Sequence, residues 1–567
     1  MPELEGSAAA EIKVPPLRVR PADIPVMVQY FLRQESRGLA APVSITPEAL
    51  RKLQAYKFPQ NIVELQAAVK RAVKHESDES REPAVTEKKL TTDVFWFASE
   101  EDTRYRLDLM TAFPALRKLL RSQLFPRELN FNVVAPVYAA VVLLLFLGPQ
   151  DRAHNFALNV FWCWWWPGIF IVYPFLGRVW CSICPFMIYG EIAQKLRVEA
   201  GAKLMKWPRE SVEAWGPWFL YLLFFAILVW EECWHLNDNA SLSAWLLLLI
   251  TAGAVVCSAL FERRLWCRYL CPIGGMNGLF AKLSMTEIRS RQGVCSGSCS
   301  TYHCYKGGPA QPPGGLESPG CPLYSHPAQL ADNRHCVLCM ECVKACPHGS
   351  VEFNFRPPGA DLWQGHKSDV SEVALMFLLL GAVYLHCLPD ICAALGIDPD
   401  SITASLGVHI AVSAGVLAVP GLLIWLSDAA LHLGLRLRGP SRVSRASEEW
   451  VTVAYGWLPV VWAVTLAFYT DSLMGEAGKV LPVMAATFGA DGSWLPQVVV
   501  QSPVIAFVQA LLLAGGAGIS GIMTWHLDRD RATPRVMLQW LLIAISTNQL
   551  WGFIIHESWI LPLVPSY

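Results

Sequence analysis

"CVLCMECVKACP", residues 336–347, sets four cysteines at spacings of two, two and three residues and closes on a proline. A tight CxxCxxC loop aims three thiolates at one centre, as a cubane iron–sulfur cluster requires, and in two-cluster ferredoxins the cysteine before the proline ligates the other cluster. Cys346 therefore needs three more cysteines nearby. "GVCSGSCSTYHCYKGG" supplies Cys295, Cys299 and Cys304, and "PGCPLY" supplies Cys321, again followed by proline. The spacing predicts two [4Fe–4S] clusters: Cys336, Cys339, Cys342 and Cys321 on one, Cys295, Cys299, Cys304 and Cys346 on the other. Structural zinc is the competing reading of paired CxxC elements, but zinc takes only four ligands and leaves the proline after both halves unexplained.

The chain around this segment is hydrophobic. Of 567 residues, 53 % are hydrophobic, 16 % are charged and 23 are tryptophan, whereas soluble domains carry about 25 % charged residues. The net charge of −1 offers no general basic field for nucleic acid. The first residues lack a basic start followed by an apolar core, so no cleavable secretory signal is expected. Twelve of the 17 cysteines, the eight above with Cys181, Cys184, Cys267 and Cys271, lie in cluster or Cys-Pro motifs. That usage fits a compartment that keeps thiols reduced.

Apolar runs long enough to cross a bilayer occupy 131–148, 156–177, 215–234, 243–261, 370–388, 404–430, 450–471, 498–525 and 535–556. The expected fold is a polytopic α-helical membrane protein of about nine transmembrane helices with an inserted two-cluster ferredoxin-like domain and a small N-terminal helical domain. Its expected parts are a helical domain over 1–76, a linker and amphipathic segment over 77–130, and a four-helix membrane unit over 131–284. A ferredoxin-like domain over 285–358 and a five-helix membrane unit over 370–560 complete it. Basic residues gather in alternate connections: Arg178 to Arg209, "RLRGPSRVSR" after Leu435, and "HLDRDRATPR" from His526. The positive-inside rule then puts the N-terminus and clusters on the cytoplasmic side and Tyr567 outside. The segment 104–129 alternates basic and apolar residues and could lie on lipid or pack as an ordinary amphipathic helix.

Two further cysteine pairs stand at equivalent helix ends. "GRVWCSICPF" holds Cys181 and Cys184, and "RRLWCRYLCPIGG" holds Cys267 and Cys271, so that two Trp-Cys entries and two Cys-Pro endings read as an internal repeat. They are candidates for a redox relay or cofactor contact between quinone and the cubanes; packing cysteines are the plainer alternative. With these motifs, residues 131–355 resemble the polyferredoxin-type membrane iron–sulfur proteins of periplasmic nitrate reductase systems, nitrous oxide reductase maturation and cytochrome oxidase assembly. The resemblance implies four membrane helices, Cys-Pro motifs at helix ends, two cubanes on the cytoplasmic side, and electron transfer linked to quinol or a cytoplasmic partner. The family's CxxxCP motif is matched from Cys267 to Pro272, while "CSICP" is one residue shorter, and the helices from 370 onward lie outside the likeness.

Histidines in those later helices fall at paired depths. His386 with His409, and His432 with His526, could each ligate a b-type haem; interfacial histidines are the alternative, a reading that also covers His556. At the other end of the chain, "PPLRVRPADIP" from Pro15 and "FPQNIVEL" from Phe58 closely resemble the helical lid of sigma-54-activator AAA+ ATPases. Val63 stands where that family places its nucleotide-sensing arginine, Gln60 replaces its glycine, and no GxxxxGK[ST] loop is present, so no ATPase activity is expected. No clustered basic helix suggests direct DNA binding.

The expected function is membrane-bound electron transfer between a membrane carrier such as quinol and an unidentified redox partner protein at the inner face. The chain reads as an oxidoreductase component rather than a complete enzyme. A redox-sensing regulator, coupling cluster state to a sigma-54-type transcriptional ATPase, is the alternative.

Overall fold

The computed structural model describes residues 14–37, 42–56, 58, 61–79, 88–90, 94–95, 106–291, 294–295, 299, 301–364, 368–438, 446–528 and 534–555. Gln60, the basic run 439–445, His556 and Tyr567 lie outside them. The chain divides into two compact units, one drawing on 1–104, 288–330 and 340–353, the other on 105–287, 331–339 and 354–567.

The first unit opens with three helices, α1 (Ile24–Glu35), α2 (Pro47–Ala55) and α3 (Asn61–Glu79), and two short strands, β1 (Val43–Ile45) and β2 (Lys88–Leu90). Thr46 caps α2 by accepting the Ala49 N–H at 3.3 Å, with Pro47 at the first helical position, where its missing N–H costs nothing. Ile24, Val28, Phe31 and Leu32 recur at helical spacing on α1, as Leu65, Val69, Ala72 and Val73 do on α3. They close one core with Leu17, Leu53 and Phe58.

This core runs past the expected boundary at residue 76. β2 pairs in parallel with β1, Val43 opposite Lys88 and Ile45 opposite Leu90, and Leu90, Val94 and Phe95 are buried in the same core. The charged run 74–89 reads as a linker only because the apolar residues it delivers come after it. In the cysteine-rich part of this unit, short helical turns at His303–Lys306 and Glu341–Ala345 carry Cys304 and Cys342.

The second unit is mainly helical: α4 (Ala135–Leu147), α5 (Trp166–Leu176), α6 (Pro185–Glu199), α7 (Arg209–Trp234), α8 (Ala240–Leu260), α9 (Pro272–Phe280), α10 (Val370–His386), α11 (Leu406–Arg438), α12 (Leu458–Asp471), α13 (Ser502–Leu527) and α14 (Pro534–Ile555). Among the described residues, eight helical stretches are long and apolar enough to cross a membrane, or nine if α10 and the following Leu388–Leu395 form one span. Each of the nine apolar runs carries one of them. α10 and Leu388–Leu395 meet at 63°, where Pro389 cannot supply the N–H a continuous helix needs.

Close helix approaches depend on glycine. A Cβ on Gly381 would sit 2.2 Å from the Leu417 carbonyl oxygen of α11, and one on Gly456 would sit 2.2 Å from Thr524 Oγ1 of α13. Phe170, Tyr173, Phe280, Leu379 and Trp457 belong to the core that results. Beside the helices, β3 (Leu107–Asp108) pairs antiparallel with the end of β5 (Val351–Phe355), in a sheet of order β3–β5–β4 completed by β4 (Thr286–Ser290).

Candidate iron–sulfur sites

The two Cys-Pro motifs are built alike. After α5 the chain makes a 3-10 turn over Val179–Ser182 and enters α6 at Pro185; after α8 it turns over Trp266–Leu270 and enters α9 at Pro272. Cys184 and Cys271 are the N-cap residues, with φ/ψ of −74°/122° and −73°/118°. Proline forces the residue before it into this extended region and is itself suited to the first helical position.

The motifs converge. Arg178 Nη2 donates to Cys181 Sγ at 3.8 Å and to the Cys267 carbonyl at 3.2 Å, and Asn277 of α9 donates to Cys181 Sγ at 3.2 Å. The Gly274 N–H donates to Cys271 Sγ at 3.3 Å. Burial pushes the Cys184 thiol well above its ordinary range, and the neighbouring Cys181, Cys267 and Cys271 push it the same way. Burial likewise carries Cys271 up to about 12, against the pull of the Gly274 N–H.

Cations surround these thiols. Arg264 Nε donates to Glu191 of α6 at 2.8 Å and its Nη1 to the Cys181 carbonyl at 3.4 Å. Burial pulls the Arg264 guanidinium down, but Glu191, Cys267 and Cys339 outweigh it and hold it above its ordinary value. Cys339 is thus within electrostatic reach of a residue that donates to the Cys181 backbone. Arg178 Nη1 also donates to the Arg334 carbonyl, two residues before Cys336. Burial, then Arg268, Arg334, Arg178 and Lys282, push His335 well below the ordinary imidazole range.

Arg334 and Lys282 lead from here into α10. Glu372 accepts from Lys282 at 2.7 Å, from Arg334 Nε at 2.7 Å and from the Tyr455 hydroxyl, while Lys282 Nζ lies 4.4 Å from the Tyr455 ring centroid.

In the first unit, Cys295, Cys299 and Cys346 all act on Cys304, while among the described residues no three His, Cys, Asp or Glu side chains stand close enough together to hold a metal ion as they are. Cys304 is pushed well above the thiol range by burial first, then by Cys295, Cys299 and Cys346, with Cys321 the weakest contributor. Its sulfur lies 3.6 Å from His326 Nε2, and because His326 Nδ1 accepts the Ala328 N–H, the ring proton sits on Nε2 and points at the sulfur. Cys346 Sγ accepts the Ser350 N–H at 3.3 Å, and Cys321 Sγ accepts the Ser325 N–H at 3.3 Å. Of the other expected set, Cys321 and Cys342 belong to this unit and Cys336 and Cys339 to the second. Buried thiols met by N–H donors and cations suit thiolate-bound [4Fe–4S] clusters, which supply one-electron transfer when bound.

The histidines go elsewhere. His386, the last residue of α10, stacks on Phe468 with ring centroids 5.0 Å apart, its Nε2 3.3 Å from the Tyr469 hydroxyl of α12. His409 in α11 faces α7, with Nε2 3.9 Å from Glu232. His432 follows Asp428 by one turn of α11, and Asp428 pairs with Arg535 of α14 at 2.9 Å. His526 lies against Trp363, its Nε2 3.3 Å from that residue's carbonyl. Haem ligation needs two imidazoles facing one iron, and these contacts assemble neither expected pair. Near the His386 end of α10 a cleft of about 710 Å³ is lined by Asp390, Phe468, Asp471, Gln509 and Trp551, among others, and no cluster or Cys-Pro cysteine lines it. In the lid-like helices Val63 is exposed and Arg71 is buried, its Nη1 donating to the Cys295 carbonyl at 2.8 Å.

Residues 158–203 and 243–290, which contain both Cys-Pro motifs, match the family profile of a 4Fe-4S binding domain. Residues 18–102 match that of the AAA+ ATPase lid domain, which agrees with a core extending to Phe95. An uncharacterised protein of Methanocaldococcus jannaschii is 23 % identical over 44 % of this chain and 91 % of its own length. The methylamine utilization ferredoxin-type protein MauN of Paracoccus denitrificans is 27 % identical over 22 % of this chain and 50 % of its own length. The transcriptional regulatory protein ZraR of Klebsiella oxytoca is 48 % identical over 11 % of this chain, and the chain spans only 14 % of it. No solved structure matches the chain.

The class so defined is that of iron–sulfur proteins with a 4Fe-4S binding domain. More particularly, the chain is similar to ferredoxin-type electron-transport proteins and carries an AAA+ lid domain of the sigma-54-activator type ahead of that region.

Proposed function

We propose that this protein is an integral membrane relay that passes single electrons between a membrane carrier, quinol, and a redox partner protein on the cytoplasmic side. The observation that carries the reading is that Cys295, Cys299 and Cys346 all bear electrostatically on the buried Cys304, whose sulfur lies 3.6 Å from His326 Nε2. Four thiols drawn from separate loops have no packing purpose that single cysteines would not serve. The second ferredoxin cluster falls to Cys321, Cys336, Cys339 and Cys342. The contact of Arg178 with the Arg334 carbonyl and the electrostatic reach of Arg264 to Cys339 support a short route from the Cys-Pro region to the segment of Cys336 and Cys339. The basic connections support cytoplasmic placement of the clusters.

Anaerobically purified protein should hold at least about eight irons per chain and show reduced-cluster paramagnetic resonance signals on addition of quinol. In vesicles, an impermeant reductant should reach the clusters only from the cytoplasmic face. Stoichiometric zinc with no cluster signal would refute the reading, and a pyridine haemochrome spectrum tests for haem in the same sample.

One observation favours a second reading, a redox sensor. Arg71, on a helix of the lid domain, donates to the backbone of cluster cysteine Cys295. A change of cluster charge would be felt by that guanidinium directly. Under this reading Arg71→Ala should leave iron content intact but abolish any redox-dependent change in protease cleavage of residues 14–95. Identical cleavage of oxidised and reduced wild-type protein would exclude it.

A further inference from the structure

We infer that Trp180, Trp165, Trp166 and Tyr469 form a chain that carries one-electron oxidising equivalents away from the Cys-Pro region, and that His386 is the proton acceptor at its end. The inference rests on the proposed function for the presence of reduced iron, the source of such an oxidant; the path and its end point follow from the side chains themselves.

Trp180 immediately precedes Cys181. Between ring centroids, Trp180 lies 5.0 Å from Trp165, Trp165 lies 5.7 Å from Trp166, and Trp166 lies 6.2 Å from Tyr469. These are contact distances for aromatic pairs. Tryptophan and tyrosine give up an electron far more readily than phenylalanine, and every member of this run is one or the other. Phenylalanine at the same positions would fill space without carrying charge.

Proton acceptors set the direction. A buried indole N–H usually has an acceptor, yet among the described residues Nε1 of Trp165 and Nε1 of Trp180 have none. Such orphaned donors ask for an explanation, and a redox role is one. An oxidised tryptophan that cannot shed its proton remains a strong oxidant and draws an electron from the next ring. Tyr469 differs. Its hydroxyl lies 3.3 Å from His386 Nε2, so oxidation there passes the proton to the imidazole, and the neutral phenoxyl left behind is a weaker oxidant. The vacancy therefore stops at Tyr469. His386 stacks on Phe468, which lines the cleft together with Asp471, so a small reductant has a way to this end of the chain.

Each step moves one electron. In bicarbonate, hydrogen peroxide takes an electron from reduced iron, and the products are hydroxide, water and the carbonate radical anion. That radical takes an electron from Trp180 and becomes carbonate. Electrons then move toward Trp180 from Trp165, Trp166 and Tyr469 in turn, while the Tyr469 O–H proton goes to His386 Nε2. A reductant of the ascorbate class gives one electron to the phenoxyl, and the His386 proton returns to its oxygen.

The test uses full-length protein purified without oxygen, reduced, freed of excess reductant, mixed in bicarbonate buffer with hydrogen peroxide and frozen. We expect a tyrosyl radical signal in paramagnetic resonance that ascorbate quenches, that Tyr469→Phe abolishes, and that His386→Leu lowers about tenfold or more. Trp165→Phe should lower it too, and mass spectrometry should then find oxidation accumulating on Trp180. Iron content before peroxide reports that each variant is folded. A signal undiminished in Tyr469→Phe overturns the inference, as does a protein that loses its iron to peroxide with no radical formed; both leave the proposed function standing. A signal undiminished in His386→Leu overturns the assignment of His386. Protein purified with no iron overturns the proposed function instead, and carbonate radical made in that sample by pulse radiolysis tests the chain alone: a radical that needs Tyr469 upholds it, and one that does not sinks both.

Discussion

Replacing Glu372 with alanine will destabilise the protein by about 3–5 kcal/mol, the range seen when one partner of a buried ion pair is removed. Glu372 is 5 % exposed, and Lys282 is fully buried. The carboxylate receives Lys282 at 2.7 Å, Arg334 at 2.7 Å and the Tyr455 hydroxyl, so three donors lose their acceptor together. What remains is longer: Asp332 lies 3.5 Å from Lys282 and Asp369 lies 3.6 Å from Arg334. The effect should be read by thermal or denaturant unfolding in detergent. Glu372→Gln, which keeps the acceptor but not the charge, should fall between alanine and wild type. Adding Lys282→Met to Glu372→Ala should recover stability, because the second change removes the stranded charge. A loss below about 1 kcal/mol would show that water or a rearranged neighbour compensates the pair.

The CxxCxxC spacing of Cys336, Cys339 and Cys342 is a local pattern visible in the sequence itself, and the long apolar runs were legible because a helix that crosses lipid must be apolar along its whole length. What a sequence hides is pairing across distance. Nothing near Lys282 announces Glu372, and nothing near Cys181 announces Asn277 or Cys267. The repeat was read from its Trp-Cys entries and Cys-Pro endings, although "CSICP" is one residue shorter. In the structure the difference is taken up by winding: Val179–Ser182 makes a tight 3-10 turn, while Trp266–Leu270 makes a wider π turn, so both motifs deliver the second cysteine to the same N-cap geometry. The contacts of the histidines were not legible, because similar depth does not give facing. His386 of α10 packs against α12 and His409 of α11 faces α7, and helical phase over 17 residues of α10 is not fixed by depth alone.

Removing Cys304 should have the largest effect on metal content, and its combination with Cys346 tests the pairing of distant ligands. Cys304 is buried, has Cys295, Cys299 and Cys346 as its strongest thiol neighbours, and takes a ring N–H from His326. Cys304→Ala leaves three thiolates and exposes one corner of the cluster, so about four irons and one resonance signal should be lost. Metal ligation is also folding energy for a loop with little core of its own, so the stretch around Cys299 should become open to protease. The decisive comparison is the double variant Cys304→Ala with Cys346→Ala. Ligands of one cluster act as a unit, and the double variant should then lose no more iron than either single one. If Cys346 instead served the cluster of Cys336, Cys339 and Cys342, the losses would add to about eight irons. Additive loss would therefore refute the assignment of Cys346, and with it the rule that the cysteine before proline crosses to the other cluster in this chain.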